Sequence, residues 1–176
     1  MPSPAVHSVH IYDEPAALIT RLCGLVSGSL LVGDSVLLVT TAEHRDQLMK
    51  ELTACGVDVR PHARQGRFVM LDAKELLSTF IRDGMPDRDL FFATVGKVLS
   101  EARKSSKSVA SGLTVFGEMV AVLWDSGNKR AALQLEALWN DALNDRAFHL
   151  HCAYPRAGFV GGEETHVCAV HSHVLM

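Results

Sequence analysis

The residues of this 176-residue chain that could do chemistry are nine histidines, four cysteines and a few carboxylates, and they are unevenly placed. His7 and His10 lie near one end; His149, His151, His166, His171 and His173 lie toward the other. The tail "HVCAVHSH" packs three histidines and a cysteine into eight residues, a donor set suited to zinc or iron. Regular geometry does not gather them. On a strand His171 and His173 share a face while His166 and Cys168 point the other way. On a helix His166 and His173 share a face and His171 sits well around the cylinder. We therefore assign no metal and no cofactor, and expect solvated or hydrogen-bonded imidazoles. Cys23, Cys55, Cys152 and Cys168 are widely spaced, form no CxxC pair, and are expected as buried, reduced thiols.

Nucleotide and nucleophile chemistry find little support. A phosphate-binding loop needs glycines, so that backbone amides can wrap the anion, and a lysine to meet its charge. The turn after the first apolar segment is "YDEPAAL", with no glycine, no lysine and two carboxylates. There is no G-x-S-x-G elbow, and "ASG" at 110–112 precedes a strand instead of following one. No catalytic residue is assigned, and the expectation is a protein that is not an enzyme.

Glu118 interrupts the apolar run "LTVFGEMVAVLW" (113–124). A strand ending near Phe116 and a helix starting at Met119 would leave it at a helix N-terminus. There it could cap the helix and meet the favourable end of its dipole. The same position would put a carboxylate at the floor of a strand-end pocket.

The elements that must position these groups alternate. "HSVHIY" (7–12) is extended, and Asp13 is placed to cap the next helix, with Pro15 in its first turn. That helix runs to "VGD" (32–34). "SVLLVTT" (35–41) has the continuous apolar character of a strand buried on both faces. A helix from about Ala42 to Cys55 turns Leu48, Leu52 and Cys55 to one side and stops at Gly56. "GRFVMLDA" (66–73) is a strand, followed by a short helix or loop at 74–83. "DGMPD" (83–87) breaks the chain, and Asp87 caps a helix to about Lys104 with Phe91, Val95, Val98 and Ala102 in one stripe. After the strand "VASGLTVFGE", helix starts near Met119, pauses at "DSGN" (125–128) and continues to about Asn144. Leu135, Leu138, Trp139 and Ala142 lie at amphipathic spacing there. "AFHLHCAY" (147–154) is the last clear strand. Apolar strands separated by amphipathic helices predict an α/β protein with a mainly parallel sheet between helical layers, over one domain spanning 1–176. Ligands in such folds sit at the C-terminal strand ends. The residues there are Tyr12, Asp13, Glu14, Thr40, Thr41, Glu43, Asp72, Gly117, Glu118 and Tyr154.

The bulk numbers exclude some partners. A net charge of −3 gives no electrostatic reason to expect nucleic acid or an anionic membrane. No apolar run approaches the roughly 20 residues of a membrane helix, and no basic-apolar leader opens the chain, so a cytoplasmic location is expected.

Several segments together resemble one family. They are "HSVHIYDE" at the start, "GEM" (117–119) followed by "LWDSGNKRAALQLEALWNDAL" (123–143), "CAYP" (152–155) with Phe159 soon after, and "CAVHSHV" (168–174). Their ordered set is similar to the methanogen/methylotroph sensory domain, MEDS, a degenerate relative of RecA-like ATPases lacking the phosphate loop. The resemblance implies a three-layer RecA-like fold and a sensory role in bacterial two-component signalling, usually beside a histidine kinase or DNA-binding domain. It also implies a small, largely apolar, hydrocarbon-type ligand. His7 and Tyr12 fall at the family's histidine and aromatic positions. The expected polar contacts are thus His7, Tyr12, Thr40, Glu43, Glu118 and Tyr154. The chain has no room for a kinase or DNA-binding segment, so it is expected to act through a partner protein, with a homodimer possible, or to be part of a longer one. Two other readings stand beside this one: an interaction module whose crevice is packed shut, and a metal sensor or enzyme using the terminal histidines.

Overall fold

The structure, a computed structural model, describes residues 5–107, 112–145 and 148–176. Six strands form a parallel sheet in the order β3-β2-β6-β7-β1-β8. They are β1 (Val6–Tyr12), β2 (Ser35–Thr40), β3 (Phe68–Asp72), β6 (Leu113–Gly117), β7 (His149–Pro155) and β8 (His173–Leu175). Every residue of β2 and of β6 is buried, as their unbroken apolar runs require of strands covered on both faces.

Side chains alternate across the sheet and feed two cores. One face, with Val36, Leu38, Phe116 and Ala153, packs against Leu18, Leu22 and Val26 of α1 (Pro15–Leu31) and Leu48 and Leu52 of α2 (Ala42–Ala54). The other, with Val9, Ile11, Leu37, Val39, Val115, Cys152 and Tyr154, packs against five further helices. These are α4 (Ala73–Phe80), α5 (Arg88–Lys104), α6 (Met119–Asp125), α7 (Lys129–Asp145) and the short α8 (Glu164–Ala169). Phe91 is wedged edge-on between Phe80 and Trp139, at 5.3 Å from each ring centroid. The result is an α/β three-layer sandwich of the RecA-like kind.

Most expected boundaries hold, with instructive exceptions. Asp13 does not cap α1: Glu14 occupies the N-cap without a side-chain bond, and Asp13 pairs with Arg156 at 2.8 Å. Cys55 lies just past α2 and is exposed. Asp87 does cap α5, accepting from the Leu90 amide at 2.9 Å. "DGMPD" is more than a break. Asp83 and Gly84 both take positive φ and turn a small antiparallel hairpin, β4 (Ile81–Arg82) with β5 (Met85–Pro86), the usual use of an Asp-Gly pair. A five-residue helix, α3 (Arg60–Arg64), falls where no element was expected. The beginning of the strand expected from Val109, and the Ala110–Ser111 part of "ASG", lie outside the described residues.

Candidate functional site

The chain leaves β2 for α2 on one face of the sheet, whereas it leaves the neighbouring strand β6 for α6 on the other face. Divergent exits from adjacent parallel strands open a crevice at their C-terminal ends. A cavity of about 330 Å³ lies there, lined by Tyr12, Thr41, Glu43, His44, Asp72, Lys74, Glu118, Ala121, Val122, Asp125 and Pro155, among others.

Glu118 is the structural joint of this crevice. It occupies the N-cap of α6, yet its side chain caps nothing in that helix, contrary to one of the two expectations. Its carboxylate instead crosses to the β2–α2 turn. Oε2 accepts from the Thr41 amide at 2.9 Å and lies 3.5 Å from the Thr41 hydroxyl. Oε1 accepts from His44 Nδ1. Thr41 is itself the N-cap of α2, accepting from the His44 amide at 3.4 Å. One buried carboxylate thus ties the end of β6 to the first turn of α2. The bond to Glu118 raises the His44 pKa above its ordinary value; burial opposes this, and the Glu118 and Glu43 charges add to it. Tyr12 sits edge-on to His44, with ring centroids 6.3 Å apart. Burial, then the Glu118, Asp125 and Glu43 charges, push its phenol far up, so it stays a neutral group. Burial and Glu118 also raise the Asp125 carboxyl.

The six expected contact residues divide. Tyr12, Glu43 and Glu118 line the crevice. Thr40 does not: its hydroxyl points into the sheet–helix layer, buried and without a hydrogen-bond partner among the described residues, while Thr41 makes the contacts. His7 and Tyr154 lie on the opposite face of the sheet from Tyr12. His7 precedes Tyr12 by five residues, an odd number, so strand alternation sends the two side chains to opposite faces.

His7 and Tyr154 belong to a buried polar group under α7. Glu136, fully buried, accepts from the Tyr154 hydroxyl at 2.7 Å through Oε1. Its Oε2 faces His7 Nε2 at 3.3 Å, His171 Nε2 at 3.5 Å and Cys152 Sγ at 3.7 Å. Burial alone would raise the Glu136 carboxyl; the His7 hydrogen bond, the His171 and His7 charges and the Tyr154 bond outweigh it and lower the pKa. Burial, reinforced by Glu136, drives the Cys152 thiol and the Tyr154 phenol well up. Glu136 escaped the sequence reading, although a signal existed. An acidic residue at 136 stands four after Ala132 and three before Trp139, inside the buried stripe of α7. Of the tail's four donors, His171 is the one in this group; its companions come from β1, α7 and β7.

A second cavity, of about 280 Å³, lies between α1 and the sheet. Leu18, Leu22, Leu25, Phe116 and Leu175 make it largely apolar. Its polar groups are Arg21, His10, whose buried Nδ1 has no partner among the described residues, and the Ser8–His151 pair at 2.6 Å. Ser8, the register neighbour of His151 on β1, is thus the hydrogen-bond partner of that imidazole.

A family model described as "MEthanogen/methylotroph, DcmR Sensory domain", MEDS, matches residues 6–172. No curated protein matches the chain. Among the described residues no helix is long and apolar enough to cross a membrane.

Proposed function

The chain belongs to the MEDS family of sensory domains, and from that premise we propose that it is a non-enzymatic sensor that binds a small molecule in the strand-end crevice. The single observation that carries this is the open, roughly 330 Å³ crevice whose floor carboxylate also fastens α2. That volume is at the small end of ligand sites, about 300–1,000 Å³. An open crevice also favours a ligand over a module packed shut by its own side chains.

The lining refines the ligand. Ala121, Val122, Pro155 and the Tyr12 ring offer an apolar wall. Glu43, Asp72, Glu118 and Asp125 surround it with carboxylates, against Lys74 and His44. Anions, nucleotide phosphates included, are repelled by that set. A compact apolar body carrying a hydrogen-bond donor or a positive charge is accepted. A ligand that engages Glu118 competes with Thr41 and His44, so it binds two arrangements of the α2 first turn with different affinity. Such a difference is what any ligand-driven switch requires. The outer face of α2, with Asp46, Lys50 and Thr53 exposed, is the surface a histidine kinase or transcription regulator would read.

The cavity under α1 supports a second site for a mainly apolar ligand with one polar group, because its walls are largely leucine and phenylalanine and its His10 nitrogen could take one hydrogen bond. A thermal-shift screen of small amines, alcohols, apolar molecules and nucleotides tests the proposal. A crevice ligand at about 100 times its Kd should raise Tm by roughly 5–10 °C. The shift should shrink in Glu118→Gln and Tyr12→Phe, and nucleotides should give none. Variants that bind as tightly as the parent would remove the crevice from consideration.

A further inference from the structure

We propose that His7, Glu136, Cys152 and His171 form a buried site for a borderline transition-metal ion of the Zn²⁺ class. The site lies on the sheet face opposite α1 and α2 and is independent of the crevice. One donor atom from each residue lies within 4.8 Å of all the others. A tetrahedral ion about 2.0–2.3 Å from each donor needs donors about 3.3–3.8 Å apart. The His7–Glu136, His171–Glu136, Cys152–Glu136 and Cys152–His7 separations are 3.3, 3.5, 3.7 and 3.5 Å. Four edges of the tetrahedron are thus already at coordination length.

The surrounding hydrogen bonds aim the donors inward. Asn140 Nδ2 donates to the Val170 carbonyl at 3.0 Å, which turns its Oδ1 to His7 Nδ1 at 2.8 Å. An oxygen there can only accept, so Nδ1 carries a proton, and Nε2, which faces Glu136, is the nitrogen that would give its lone pair to an ion once any proton it shares with that carboxylate is displaced. His171 is set the same way by the Val167 carbonyl, 2.7 Å from its Nδ1. Its Nε2 is then a buried lone pair with no hydrogen-bond partner among the described residues. Tyr154 holds Glu136 Oε1, leaving Oε2 to the centre. Imidazoles oriented by a carbonyl or amide oxygen on the far nitrogen, and a carboxylate held by a hydroxyl, are the outer shell that metal ligands require. Two imidazoles, one thiolate and one carboxylate suit Zn²⁺ or Co²⁺ and not Mg²⁺ or Ca²⁺. Binding releases to solvent the Cys152 thiol proton and any proton on Nε2 of His7 or His171, and puts one metal–sulfur and two metal–nitrogen bonds in their place. Because His171 follows α8, the ion would staple the C-terminal segment to β1, β7 and α7.

The test uses the whole chain, stripped with chelator and titrated with Co²⁺. The expected result is one ion per chain, a thiolate-to-cobalt charge-transfer band, and its loss when Zn²⁺ displaces the cobalt. Cys152→Ser should abolish the band, and His171→Gln should weaken uptake roughly 100-fold or more, whereas Tyr154→Phe should weaken it about 10–100-fold. Cys168→Ser, Glu118→Gln and Tyr12→Phe should leave the band unchanged, so the crevice and the metal site fail separately. No band in the parent protein, or an undiminished band in Cys152→Ser, overturns the proposal. If a ligand variant does not fold, the presence or absence of the parent's band decides.

Discussion

Glu118 shows how one side chain can join two elements at the floor of a crevice. Its carboxylate satisfies the Thr41 amide and the His44 ring across the gap between two strands, so the crevice floor is tied to the start of α2. Replacing it with glutamine removes a charge-assisted bond worth about 1.5–3 kcal/mol. We expect Glu118→Gln to lower stability by about that much, read from urea unfolding. The His44 pKa, raised in the parent, should return toward its ordinary value in an NMR titration. His151 makes an opposite statement. Burial first, then His149, Arg21 and His7, depress its pKa to about 4 from 6.5. The unfolded chain therefore takes up a proton below pH 6.5 that the folded chain refuses, and stability falls from there down to about pH 4, where the loss levels off. The loss is on the order of 3 kcal/mol. His44, with its pKa raised, works the other way: its contribution is full below the unfolded pKa and fades as pH rises through the folded one. Stability measured against pH should flatten between 6.5 and 4 in His151→Gln.

At the scale of elements, legibility followed the strength of local patterns. The β2 and β6 runs, the α7 stripe and the Asp87 cap are written in consecutive residues, and the structure places each as expected. Groups whose partners are distant in sequence were not legible. Glu118 meets residues 77 and 74 positions away, and His7 meets Cys152 across 145. No periodicity encodes such pairs; the crossover order of the sheet does. The two-residue rule of strands could have separated His7 from Tyr12 in advance, because an odd spacing forces opposite faces. The caps provide a direct contrast. Asp87→Ala should cost about 1 kcal/mol, since it removes a bond to the α5 amide. Asp13→Ala should stay within about 0.5 kcal/mol, because that carboxylate sits in an exposed pair and caps nothing. Equal losses on urea unfolding would contradict the assignment of the α1 N-cap.

For the whole molecule, the parallel sheet keeps two polar centres apart. The crevice opens at the strand ends where β2 and β6 part, and the His7–Glu136–Cys152–His171 group lies sealed under α7. On the proposed function, the strand-end crevice with its carboxylates Glu43, Asp72, Glu118 and Asp125 would favour neutral or cationic molecules over phosphates. In the proposed sensor, the signal is how tightly Glu118 holds the first turn of α2. Amide chemical-shift mapping of the isotope-labelled chain, titrated with the strongest stabiliser from the thermal screen, tests this most directly. The crevice assignment predicts the largest shifts at Thr41, His44, Glu118 and Ala121, spreading along α2. Shifts centred on Leu22, Leu25 and His151, with the Thr41 and Glu118 amides unmoved, would contradict it.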